Sequence, residues 1–70
     1  MKKYYVEIVW DKEESMYIIQ SKWYETEEKA IEWAKEIDYL DGHYTMYLMS
    51  SEFNEDGEYG DIIQEKELFL

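Results

Sequence analysis

Thr26-Glu27-Glu28-Lys29-Ala30-Ile31-Glu32-Trp33-Ala34-Lys35-Glu36-Ile37 is the stretch whose reading decides the fold. Ala30, Ile31, Ala34, Ile37 and, at its end, Leu40 recur at helical spacing and make one apolar stripe. Trp33 flanks the stripe, and Glu28, Lys29, Glu32, Lys35 and Glu36 occupy the rest of the surface. Thr26 is a good N-cap, because its hydroxyl can accept a free backbone N–H of the first turn. Glu27 and Glu28 then sit at the positive end of the helix dipole. Glu25 with Lys29, and Glu32 with Lys35, are spaced to pair along the helix surface at about 0.2–0.5 kcal/mol each. Gly42 is the expected stop, since it tolerates the left-handed conformation that ends helices.

The periodicity on either side of this helix is two, not 3.6. Residues 2–10 read as a strand with Tyr4, Val6, Ile8 and Trp10 on one face and Lys3, Tyr5, Glu7 and Val9 on the other. Asp11-Lys12-Glu13-Glu14-Ser15 is a polar break of hairpin length. Residues 16–24 read as a second strand, with Tyr17, Ile19 and Trp23 opposite Met16, Ile18 and Tyr24. Beyond the helix, residues 43–53 set Tyr44, Met46 and Leu48 against Thr45, Tyr47, Met49 and Phe53. Asn54-Glu55-Asp56-Gly57-Glu58 is a turn in which Asp56-Gly57 carries a two-residue hairpin signal. Residues 59–69 form the last expected strand, with Ile62, Gln64, Lys66 and Leu68 opposite Tyr59, Ile63, Glu65 and Phe69.

The sum is an α+β domain of ββαββ order, one domain over residues 1–70. The simplest packing lays the helix across one face of a four-stranded antiparallel sheet. Tyr5, Val9, Met16, Ile18, Tyr47 and Met49 are then left for the other face. A face so rich in Tyr and Met points either to a dimer or partner surface, or to cover supplied by strand twist and loops.

A chain of 70 residues buries only about 60% of the surface its unfolded form exposes. With no Cys, neither a disulfide nor a thiolate zinc site can help it. Three Trp, eight Tyr and two Phe supply the apolar payload instead, and separate the chain from disordered acidic tails. No apolar leader follows Met1-Lys2-Lys3, and no apolar run approaches the roughly 20 residues of a membrane helix. The cytoplasm is therefore the expected compartment. Every basic residue is Lys, which, with abundant Ile, Tyr and Glu, resembles the usage of an AT-rich bacterial or phage genome.

No catalytic constellation stands out, and no enzyme, cofactor or metal is expected. His43 follows Asp41-Gly42, but a general base needs a substrate proton within reach and a cavity around it. The stretch from Asn54 to Asp61 has acidic residues at calcium-loop spacing, yet Tyr59 falls where such a loop needs Gly. Direct nucleic-acid binding is disfavoured, because 7 Lys against 18 acids cannot make the basic face that releases counterions.

What remains is the formal net charge of -11. Charge of one sign at this density costs stability through self-repulsion; a specific use for it is one reading, and ordinary turn chemistry with a favourable helix dipole, serving nothing specific, is another. The charge concentrates at Asp11, Glu13 and Glu14, at Glu25, Glu27 and Glu28, and at Glu55, Asp56, Glu58 and Asp61. Carboxylates spaced on a rigid scaffold imitate phosphates and pair with Arg in bidentate fashion. The expected role is a non-enzymatic inhibitor or modulator that offers these residues to a basic, nucleic-acid-handling protein. The helix start and the 55–61 turn are the expected contact points, with Tyr59 and Tyr24 as anchors. In size, acidity, aromatic content and lack of Cys the chain resembles phage-encoded inhibitors of restriction or CRISPR nucleases. That resemblance implies a host-cytoplasmic nuclease as partner. The alternative is a small self-associating regulatory or assembly module, in which acidity serves solubility alone and the apolar strands carry the interface.

Overall fold

The computed structural model describes residues 1–38 and 40–70. Strands β1 (Lys2–Lys12), β2 (Ser15–Gln20), β3 (His43–Glu52) and β4 (Ile63–Leu68) form one antiparallel sheet, with helix α1 (Glu27–Lys35) between the hairpins. The spatial order is β2-β1-β3-β4. The two halves of the chain therefore meet through β1 and β3 at the sheet centre, and α1 lies over those two strands.

Alternation decides what α1 covers. Val6 and Ile8 of β1, Met46 and Leu48 of β3, and Leu68 of β4 point toward the helix and close on Ala30 and Ala34. The two alanines let the helix backbone approach the sheet closely. Val6, Ile8 and Leu48 are wholly buried, each a contribution of about 1.5–3 kcal/mol. Tyr4, Trp10, Ile19, Tyr24, Ile31, Trp33, Ile37 and Leu40 pack around this centre.

The helix begins as expected. Thr26 Oγ1 accepts from the Lys29 N–H at 3.2 Å, and Glu27 and Glu28 occupy the first turn. Its end differs from the expectation. The last turn tightens, with Glu36 N–H on Trp33 C=O and Ile37 N–H on Ala34 C=O, and the helix stops at Lys35. Ile37 and Leu40 reach the core from an irregular segment. Gly42 (φ +92°) instead lets the chain enter β3 tightly against β1, where a Cβ would stand 3.0 Å from the Asp11 carbonyl oxygen. Among the described residues the ion pairs are Lys2–Glu65 and Lys66–Glu27. The two helix-surface pairs expected from spacing do not form.

Two bulges explain where the alternation fails. Ser21 pairs with Val6, and Tyr24 pairs with Tyr4 through N–H···O bonds of 2.8 and 2.6 Å. Lys22 and Trp23 thus stand opposite Tyr5 alone, one residue too many. Ser21 Oγ accepts the Val6 N–H at 2.9 Å, which frees the chain to leave the strand. β2 therefore ends at Gln20 rather than continuing to residue 24, and Trp23 and Tyr24 exchange the faces expected of them. In β4 the register slips between Leu48 and Met49, and Glu65 is the extra residue between Lys66 and Gln64. Ile63 consequently lies in register with Ser50, on the helix side, while Gln64 faces away.

The first hairpin turns on Glu13-Glu14. Glu13 has φ 58°, the positive φ at the first central position that a type II′ turn requires and that Gly meets best.

Candidate functional site

The far face of the sheet is partly covered, and by aromatic rings. Bulged out, Trp23 lies against Tyr5 with ring centroids 4.7 Å apart, edge on. Phe53, the residue after β3, meets Trp23 at 4.9 Å. Tyr59 closes the group at 5.1 Å from both Trp23 and Phe53. Burial, and after it the charge of Glu7 and the neighbouring Tyr59, pushes the Tyr5 hydroxyl above its ordinary pKa. The cluster makes a firm base on which the β3–β4 connection stands.

That connection is itself well tied. Asn54 N–H donates to Glu58 C=O, and Gly57 N–H donates to Asn54 C=O. Asn54 Oδ1 accepts from Asp56 N–H at 2.9 Å and from Glu58 N–H at 3.0 Å. Gly57 takes φ +81°. This is a three-residue loop with Gly in the left-handed position, not the two-residue turn that Asp56-Gly57 suggested. Below it Phe53 and Tyr59 form a bridge.

Glu52 at the end of β3, and Glu55, Asp56, Glu58 and Asp61 beyond it, are all exposed, with no Lys between residues 52 and 61. A shallow hollow of about 390 Å³ runs between Glu52, Phe53, Asn54, Glu58, Tyr59 and Gly60. Its floor is aromatic and its rim bears carboxylates. Tyr59 is 50% exposed. An aromatic face attracts a cation by its quadrupole, and a carboxylate beside it can take the cation's hydrogen bonds. The arrangement suits an Arg or Lys side chain. Lys3 already sits over one ring of the group, 4.8 Å from the Phe53 centroid.

The structure separates the expected site residues. The register sets Lys2 opposite Glu52 at one end of β1 and Asp11 opposite His43 at the other. Glu55, Asp56, Glu58 and Asp61 share the first end with the helix start. Asp11, Glu13 and Glu14 lie at the second, roughly 30 Å away along nine strand steps. At the helix start Glu25 and Glu28 are exposed, but Glu27 is half-buried and held by Lys66 Nζ at 2.6 Å. Tyr24 packs against the core with the Lys22 ammonium 5.2 Å from its ring centroid. Of the two Tyr anchors, Tyr59 is the one with a free face.

Glu52, Phe53 and Trp23 were not expected at the site. Glu52 closes the uncharged run of strand residues before it and so opens the acidic stretch, a signal the sequence does carry. Behind the loop, Ser50 and Ser51 are fully buried. Ser50 donates to Glu65 Oε1 at 2.7 Å and Ser51 to the Asp61 carbonyl at 2.9 Å. The Lys2 ammonium, 2.7 Å from Glu65, and the Ser50 hydroxyl hold the Glu65 carboxyl below the usual carboxylate range.

Among the described residues no three Asp, Glu or His side chains converge to hold a metal ion, and no helix is long and apolar enough to cross a membrane. Compared with known protein families, curated proteins and solved structures, the chain finds no match.

Proposed function

We infer that this is a non-enzymatic acidic binding protein that presents its β3–β4 end to a basic, nucleic-acid-handling protein and inhibits or modulates it. The inference follows the logic of phage inhibitors of restriction or CRISPR nucleases. The observation that carries it is the acid-rimmed aromatic hollow around Tyr59, built on a loop fixed by Asn54 and by the rings beneath. A tied loop backbone brings its carboxylates to a basic side chain with less ordering cost than a mobile loop incurs. An exposed Tyr ring on a rigid base is the kind of residue that dominates binding energy. The other acids act at a distance, raising the rate of encounter with a positive groove.

The experiment is retention of purified nucleases and polymerases on the immobilised protein at low and at high salt. The reading predicts at least one basic enzyme retained at low salt and released as salt rises past the Debye screening regime. Retention of none at low salt overturns it.

A further inference from the structure

The sheet ends in two edges, and they are protected unequally. β4 carries Glu65, Lys66 and Glu67 and the bulge at Glu65. Charges and bulges are the ordinary means of keeping an edge from pairing. β2 has neither. Ser15-Met16-Tyr17-Ile18-Ile19-Gln20-Ser21 holds no charged residue, in a chain with 18 acids. Met16, Tyr17 and Ile18 are 66%, 50% and 62% exposed.

The direction of the backbone groups on this edge follows from the ladder. Ser21 N–H donates to Val6 C=O. Antiparallel pairs alternate between bonded and non-bonded, so Ser15, Tyr17 and Ile19 bond to β1. The N–H and C=O groups of Met16, Ile18 and Gln20 therefore point out of the sheet.

We propose that β2 pairs antiparallel with β2 of a second copy of this chain, about a two-fold axis through Ile18, to give one continuous sheet. In that register Ile18 faces Ile18 of the second copy, and Met16 faces its Gln20. Each such pair exchanges two backbone hydrogen bonds. A shift of two residues in either direction pairs fewer of the outward groups. The same register brings Glu14 of one copy opposite Lys22 of the other at both ends of the strand. The uncharged segment thus covers itself, and the nearest charges on either side are complementary. The β3–β4 end stays free, so pairing is compatible with a partner there.

Each copy carries -11, so the long-range field opposes pairing and added salt screens it. The dimer tightens as salt rises, opposite in sign to binding of a basic partner.

Sedimentation equilibrium of the full chain over rising concentration is the first test, with an expected mass approaching twice that of one chain. Ile18→Pro removes an outward N–H and leaves the bonds to β1 intact. It is expected to stay at the mass of one chain with an unchanged far-UV spectrum. The chain has no Cys, so Ile18→Cys reports register even if the Pro variant unfolds. Self-paired positions bring Cα atoms to about 5.5 Å, within disulfide reach. Positions 16 and 20 each lie about 13 Å from their own copies. Ile18→Cys should oxidise to a covalent dimer at least tenfold faster than Met16→Cys or Gln20→Cys. A wild-type chain that stays single at all concentrations overturns the proposal. So does a dimer that survives folded Ile18→Pro, or equal cross-linking rates at the three positions, since either places the interface elsewhere.

Discussion

Trp23→Ala removes the ring on which the candidate site stands. Among the described residues Trp23 makes three aromatic contacts, with Tyr5, Phe53 and Tyr59, at centroid distances of 4.7, 4.9 and 5.1 Å. Aromatic pairs contribute about 0.5–1.5 kcal/mol each beyond their buried area, and truncating a core Trp costs about 3–5 kcal/mol. Trp23 is only half-buried, which sets the expected loss near the lower limit, about 3 kcal/mol. For 70 residues at about 0.05–0.15 kcal/mol each, total stability is about 3.5–10 kcal/mol. The loss is therefore a large part of the whole. At about 4–8 °C per kcal/mol for a domain of this size, Tm falls by roughly 12–24 °C. Urea and thermal unfolding by far-UV circular dichroism measure this, and the near-UV signal reports the ring cluster directly. A loss under about 1 kcal/mol, the size of an ordinary surface change, with the near-UV spectrum otherwise intact, would refute the cluster as the support of the β3–β4 loop.

Glu13→Gly relieves a positive φ that costs a non-Gly residue about 1–3 kcal/mol, against about 0.5–1 kcal/mol of added chain entropy for Gly, so it should stabilise the protein by about 0.5–1 kcal/mol, read as a higher urea midpoint with unchanged slope. The Glu65 carboxyl, held low by Lys2 and Ser50, contributes stability above about pH 4.3 that is lost as pH falls through its folded value. The stability gap between wild type and Glu65→Gln should therefore narrow from pH 7 to pH 3, and an unchanged gap would contradict the pairing. Tyr5, raised mainly by burial, and Lys2, raised by its bond to Glu65, contribute stability below about pH 10 that is lost as pH climbs through their folded values. Unfolding midpoints measured between pH 9 and pH 12 should fall, with Tyr5→Phe showing the smaller fall.

The element order and the core face were legible because they rest on period alone. Val6 and Ile8 against Met46 and Leu48, with Ala30 and Ala34 above, follow from alternation of two meeting a stripe of 3.6. The open-face residues Tyr5, Val9, Met16, Ile18, Tyr47 and Met49 also lie where alternation put them. What alternation cannot show is where it stops. At the bulges Ser21 Oγ accepts the Val6 N–H and Ser50 donates to the Glu65 carboxylate, both partners far away in sequence. Neither serine differs, in sequence, from one facing solvent. The helix end was misjudged for a related reason: Ile37 and Leu40 keep helical spacing, yet reach the core by leaving the helix. The acidic residues were easy to count but not to sort. Pairing of Glu27 with Lys66, and the separation of residues 11–14 from 55–61, are tertiary facts.

The central claim is that the β3–β4 end, not acidity in general, recognises a basic partner. The most direct measurement is the affinity of a retained nuclease for two charge-matched variants, by titration calorimetry at about 150 mM salt, where the Debye length is about 8 Å. Glu52→Gln combined with Glu58→Gln removes rim carboxylates of the Tyr59 hollow, and Glu13→Gln combined with Glu14→Gln removes the same charge from the far end. The account predicts a loss of at least tenfold, about 1.4 kcal/mol, for the first pair and less than threefold for the second. Equal losses, or a larger loss at Glu13 and Glu14, would contradict it.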